Sequence, residues 1–261
     1  MLKNKNIIII FRIMSLLIII GCLIVLYKWN QNNNENTSIK NELEIYAQLD
    51  LDNNVSNEYM ENDSLDESLK KDYKLDVDFN ELTSKNVDTV AWIKVNNTNI
   101  NFPIVQSSDN NYYLKHNFYK ESNGAGWIFA DYKCNFDNLS KNTIIYGHNR
   151  RNGTMFSNLS YMLENNWNFE NDNSYFEFAT KSMAYRADIF SVYIIDATKL
   201  TLESDFYDDY KFNDYVGKIK KLSVYDFDLE VNENDKIITL CTCDNTSKNR
   251  IIVVAKLVEL K

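Results

Sequence analysis

The chain has 261 residues, 44% of them hydrophobic and 25% charged, which are the proportions of a folded protein rather than a disordered one. Its formal net charge is -9, with 37 acidic against 28 basic side chains and no basic block, so it lacks the positive face that a nucleic-acid partner requires. One proline and six glycines exclude collagen-like and Pro-rich linker material.

Ile7 to Tyr27 is apolar apart from Arg12, Ser15 and Gly21. At ~1.5 Å per residue, a helix of this length reaches roughly across the ~30 Å hydrocarbon core of a bilayer. The run ends in Val25-Leu26-Tyr27-Lys28-Trp29, without the small-x-small site of a cleaved signal peptide, and so reads as an uncleaved anchor. Lys3, Lys5 and Arg12 precede the apolar centre, whereas the downstream flank is Asn-rich and then acidic. The positive-inside rule puts the N-terminus in the cytoplasm and the remainder outside. The organisation expected is a cytoplasmic tail at 1–6, an anchor at 7–27, a polar extracytoplasmic spacer at 28–75 and a folded domain at 76–261. Within the spacer only a short helix around Glu42 to Leu51 is expected, because the stretch is too polar to bury much surface.

Beyond Asp76 the texture changes to short apolar runs. Val90 to Val95, Ile100 to Val105, Trp127 to Ala130, Thr143 to Tyr146 and Ser174 to Ala179 read as strands. Met183 to Ile195 is a longer one that must contain a bend or bulge, and Lys236 to Cys243 and Arg250 to Leu260 complete the set. Phe156 to Asn165 reads as helical. In Phe212 to Leu222, Phe212, Tyr215, Val216 and Ile219 recur at helical spacing, which predicts an amphipathic helix packed on the outside. Many short strands with polar connections point to a mainly β fold, a sandwich or a closed barrel.

The cysteines are Cys22, Cys134, Cys241 and Cys243, and the histidines are His116 and His148. No second cysteine or histidine pair stands at ligand spacing, so no metal cage is expected. Lys236 to Cys243 and Arg250 to Ala255 read as two strands joined by a polar, turn-rich loop, the simplest connection being a hairpin. If Cys243 and Arg250 close that hairpin they face each other with Cα atoms ~5 Å apart and side chains on one face. A guanidinium there favours the thiolate and can stabilise an anion forming on a neighbouring carbonyl oxygen. Taken singly, Cys243 reads equally as a small buried hydrophobe, and His148, which follows the strand Thr143 to Tyr146, as a surface residue. His148 nonetheless sits where a rigid strand meets a loop, a usual position for a catalytic group.

Taken together, these segments resemble a known family. Thr239-Leu240-Cys241-Thr242-Cys243 resembles the sortase signature TLxTC. Tyr146-Gly147-His148-Asn149, followed by Thr154-Met155-Phe156, resembles the histidine region of class B sortases. Asn101 to Gln106, Asp109 to Leu114 and Gly126 to Asp131 resemble three further class B segments, and the likeness runs from about Phe79 to Lys261. The resemblance implies a closed eight-stranded barrel with peripheral helices after one N-terminal transmembrane helix. It implies Cys243 as nucleophile, His148 as proton donor and Arg250 as the cation beside the oxyanion. Asn101, Asp244 and Cys241 are the further candidates for the substrate groove.

The function implied is that of a membrane-anchored cysteine transpeptidase with no metal or cofactor. Its partners would be the sorting-signal peptide of a secreted surface protein and an amine of a peptidoglycan precursor. The position taken by Cys241 is commonly Ser in class B members; it reads as a Ser-like replacement or as half of a redox pair with Cys243, since residues i and i+2 of a strand share a face. His116 is left structural or on the surface, and Cys134 an unpaired loop thiol. An L,D-transpeptidase would carry its cysteine in a His-Gly-Cys segment, and a papain-like hydrolase would place cysteine before histidine. A non-catalytic surface adhesin on the same anchor is the remaining alternative.

Overall fold

A computed structural model of the chain describes residues 2–51, 73–164, 167, 169, 174–243 and 248–260. It opens with a single helix, α1 (Leu2–Leu43), whose apolar part exposes side chains such as Leu16, Leu17 and Ile18 all round. Among the described residues it is the one helix long and apolar enough to cross a membrane.

Residues 28–43 depart from the expected spacer, because they continue the same helix and pack against the folded domain. Asn33, Asn36, Ile39 and Leu43 are buried, a stripe at steps of three, three and four that follows one helical face. Half of that stripe is asparagine, so it carries little hydrophobic periodicity. The helix expected over Glu42 to Leu51 is also corrected. A 3-10 turn at Glu44–Tyr46 leads into β1 (Ala47–Leu51), which pairs antiparallel with β2 (Tyr73–Val77). The apolar–polar alternation Ala-Gln-Leu-Asp-Leu is a strand period, and the Tyr46 carbonyl is taken by the Asp78 N–H at 2.9 Å instead of by a helical partner. Asp78 then caps α2 (Phe79–Lys85), its carboxylate accepting from the Glu81 N–H at 3.0 Å.

The remaining strands are β3 (Thr89–Lys94), β4 (Asn101–Val105), β5 (Phe129–Ala130), β6 (Asn142–Tyr146), β7 (Tyr175–Thr180), β8 (Ala184–Asp196), β9 (Lys236–Cys243) and β10 (Asn249–Leu260). They close into an eight-stranded barrel in the order β10-β8-β7-β3-β4-β5-β6-β9, the architecture that the family resemblance implies and one of the two that the strand pattern left open. All neighbours are antiparallel except β4 with β5 and β6 with β9. The bulge expected in the longest strand is present: pairing slips from Val254–Ser191 to Ala255–Ile189, leaving Phe190 as the extra residue. Two expectations shrink. Trp127 leaves the strand because its N–H bonds to the Tyr113 carbonyl of a loop at 2.9 Å. The helix expected from Phe156 is a 3-10 run, Ser157–Leu163, and Asn165 lies outside the described residues.

Trp92, Phe102, Phe118, Trp127 and Phe178 fill the interior, with Phe102 and Trp127 edge to face at 5.5 Å between centroids. Each such side chain contributes ~1.5–3 kcal/mol of burial. Outside the barrel, α3 (Asp209–Leu222) sets Phe212, Val216 and Ile219 against Phe190, Tyr193 and Ile252, as its periodicity predicts. The three strands β6, β9 and β10 thus run side by side, with the carboxyl ends of β6 and β9 beside the amino end of β10.

Candidate active site

Strand register brings the candidate residues together. β6 and β9 are parallel neighbours with Tyr146 beside Cys241, and the Gly147 N–H bonds to the Cys241 carbonyl at 3.2 Å. Two residues on from each of these positions are His148 and Cys243, at matching places just past the paired register. The Asn149 side-chain amide donates to the Cys243 carbonyl at 2.9 Å and ties the histidine loop to the strand end. On the other flank, β10 is antiparallel to β9 with Arg250 directly opposite Cys243. A thiol, an imidazole and a guanidinium therefore line the same cleft, of about 490 Å³.

The cleft has an apolar wall and a polar one. Leu200 and Leu202, from the connection between β8 and α3, line it together with Leu114 and Phe129. Tyr146 and Asn110 form the polar part, both donating to Asp131 Oδ2, at 2.9 and 2.8 Å. The buried Asp131 carboxylate, which also accepts from the Lys133 N–H at 2.9 Å, fixes their orientation, and burial beside it drives the Tyr146 hydroxyl pKa upward. Asn110, Leu114, Phe129, Asp131 and Tyr146 fall within the matched segments, but their joint role as a wall does not show in the sequence.

His148 is held by the backbone. Its Nε2 lies 2.9 Å from the Leu114 carbonyl, which can only accept, so Nε2 carries a hydrogen and Nδ1 is left for proton transfer. Burial lowers the His148 pKa; the Leu114 carbonyl opposes this and Arg150 reinforces it. Two glycines let the ring sit there. Gly147 has Ile128 and Phe156 so close that a Cβ would fall 2.5 Å from Ile128 Cδ1 and 2.7 Å from the Phe156 ring. Gly126, at φ +61°, packs under the imidazole, where a Cβ would lie 2.9 Å from His148 Cδ2.

The remaining candidates separate. Cys241 shares the cleft with Cys243, but it is buried and burial pushes its thiol up to about 12, against the pull of Arg250. It therefore stays protonated near neutrality, a poor attacking group. Cys241 and Cys243 are both free thiols. Asn101 is not brought to the cleft. It starts β4, ~13 Å of strand away from Val105 where β4 meets Phe129, and both ends of its amide are engaged, by the Trp92 indole at 2.7 Å and Glu44 at 3.0 Å. Asp244 lies outside the described residues. His116 stacks on Tyr112 at 4.0 Å between ring centroids, in keeping with a structural part. Cys134 is, as expected, an unpaired thiol in a loop; it is buried there and accepts from the Ile144 N–H at 3.3 Å. Among the described residues no cluster of His, Cys, Asp and Glu is arranged to hold a metal ion.

Known proteins share this fold. The sortase domain family matches residues 93–258. Sortase B of Listeria monocytogenes is 39% identical over 181 residues, covering 68% of this chain and 73% of that protein. A solved Staphylococcus aureus sortase B–substrate complex superposes with a TM-score of 0.66 at 33% identity, over 70% of this chain and 85% of the other. A Bacillus anthracis protein described as similar to sortase B gives 0.71 at 32% identity, over 89% of this chain and 98% of the other, so its likeness extends beyond the barrel. The chain belongs to the sortase family, and within it to the class B cysteine transpeptidases.

Proposed function

We propose that this enzyme is held in the membrane by α1, with residues 1–6 cytoplasmic and the barrel outside, and that it joins secreted surface proteins to the cell wall. The observation that carries the reading is the meeting of Cys243, His148 and Arg250 in a single cleft. The Cys243 thiolate attacks a backbone carbonyl in a sorting motif near the carboxyl end of the secreted protein, at the bond following a threonine by likeness to the family. The C=O electrons move onto oxygen, and the Arg250 guanidinium stabilises that oxyanion. Collapse breaks the C–N bond, the leaving amine takes a proton from the His148 imidazolium, and a thioester remains. An amine of a peptidoglycan precursor then attacks the thioester, surrenders its proton to the imidazole and releases the thiolate. Because burial disfavours the imidazolium, only a fraction of His148 is charged near neutrality. Leu200 and Leu202 offer an apolar wall for the motif, and Cys241 stands in as a neutral Ser-like neighbour.

Incubating the full chain in detergent micelles with a library of sorting-type peptides tests this by mass spectrometry. A thioester adduct should form on Cys243, persist in Cys241→Ser and vanish in Cys243→Ala. An adduct on Cys241 alone would remove Cys243 from its role, and ligand binding without any adduct would favour the adhesin reading.

A further inference from the structure

The polar stripe of α1 lies against the loop that supports His148. The loop, residues 112–127, touches the imidazole through two features: the Leu114 carbonyl on Nε2 and Gly126 beneath the ring. On its opposite side the same loop is held by α1. Asn36 Nδ2 donates to the Gly126 carbonyl at 2.7 Å. Glu35 accepts from the Asn117 and Asn123 amides at 2.9 and 3.0 Å, and the Asn32 carbonyl accepts from Asn123 at 3.1 Å. A second grip falls on the histidine's own loop. Arg150, two residues past His148, donates from Nε and Nη2 to Asn33 Oδ1 at 3.2 and 2.9 Å and from Nη1 to the Gly124 carbonyl at 3.2 Å. Its guanidinium also lies 5.6 Å over the Trp29 ring. The Asn36–Gly126 bond is buried and the Arg150–Asn33 bonds are partly so, and a hydrogen bond from a charged donor is stronger than a neutral one.

We propose that Asn33 and Asn36 of α1 are positioning residues for His148, clamping its supporting loop from one side and its own loop from the other. The helix that forms the anchor is then also a part of the catalytic centre's scaffold. Neither asparagine touches substrate; each acts through Gly126 or Arg150. The proposal rests on His148 acting in the reaction proposed above, but its spectroscopic consequence does not.

The test uses the full chain in micelles with ¹³C-labelled histidine. Only His116 and His148 contribute ring signals, and His148→Asn assigns them. In Asn33→Ala and Asn36→Ala we expect the His148 signal to shift or broaden while that of His116 persists, kcat for transfer to fall by about 10- to 100-fold, and KM to change less than about twofold. Asn33→Asp should restore both readouts, because Asn33 Nδ2 is buried without a partner and the carboxylate keeps the acceptor that Arg150 needs. An unaltered His148 signal with kcat within about twofold of the parent would overturn the proposal. So would collapse of both histidine signals that Asn33→Asp fails to restore, since that describes a purely structural contact. If the parent enzyme forms no thioester at all, the reaction reading fails, and the ring signals still decide the clamp.

Discussion

Gly147→Ala places a methyl group where the barrel has no room for one. The added Cβ would lie 2.5 Å from Ile128 Cδ1 and 2.7 and 2.8 Å from two atoms of the Phe156 ring, against the ~3.5–4.0 Å of an ordinary carbon contact. Ile128 and Phe156 are both fully buried, and the Phe156 N–H is bonded to the His148 carbonyl at 3.0 Å. The strain is relieved by a shift of roughly 1 Å, shared between the Phe156 ring and the Gly147–His148 backbone. Overpacking of this kind costs about 1–3 kcal/mol, or a fall in Tm of about 2–12 °C for a domain of this size. A displacement near 1 Å at a catalytic group costs up to about 100-fold in rate. Differential scanning fluorimetry and initial rates of transfer measure the two effects separately. Phe156→Leu removes the ring from the contact, so in the double variant the two substitutions should couple favourably by about 0.5–3 kcal/mol. An alanine variant as stable and as fast as the parent would refute the argument, as would strict additivity with Phe156→Leu.

Arg250→Lys should lower kcat/KM by about 10²- to 10³-fold, the range of a lost oxyanion donor, because an ammonium lacks the planar fork; turnover within a few-fold of the parent would take Arg250 out of the mechanism. The pH dependence of stability carries the signature of His148. Burial holds its pKa below the ordinary 6.5, so the unfolded chain takes up the proton first as pH falls. Stability present above pH 6.5 is lost as pH drops through the lower value of the folded state, and urea midpoints should decline over that window. His148→Asn should flatten this part of the decline, and an identical decline in the variant would assign it to other groups.

How much was legible in advance follows from how each feature is encoded. The barrel strands were readable because alternation and β-branched runs are local properties; β9, Lys236–Cys243, was delimited to the residue. The pairing of Arg250 with Cys243 followed from a short polar connection between two strands. His148 needed a motif match, since a histidine after a strand is ordinary by itself. Asn110, Asp131 and Tyr146 lie in matched segments, but their joint role in the wall is not legible there: Asp131 orients the other two, and no spacing rule connects the three. Asn101 was drawn to the groove by its neighbourhood in the motif, yet the strand carries it to the other end of β4 and commits its amide to Trp92 and Glu44.

A long apolar N-terminal run, a mainly β domain after it, and a Cys–Arg hairpin with a histidine in a matching segment are all legible in the amino-acid sequence. All but the histidine are consequences of hydrophobic pattern and of short-range geometry; the histidine rests on the family resemblance. Only the tertiary structure decided what the stretch after the apolar run does. Trp29, Asn33, Asn36, Ile39 and Leu43 lie on one helical face, but asparagines add almost nothing to a hydrophobic signal, and their value depends on the carbonyls and the guanidinium that meet them. Those partners stand about 90 to 117 residues away in the chain. A polar interface becomes visible only when both of its halves are in place, because each buried amide is costly alone and stabilising only when paired.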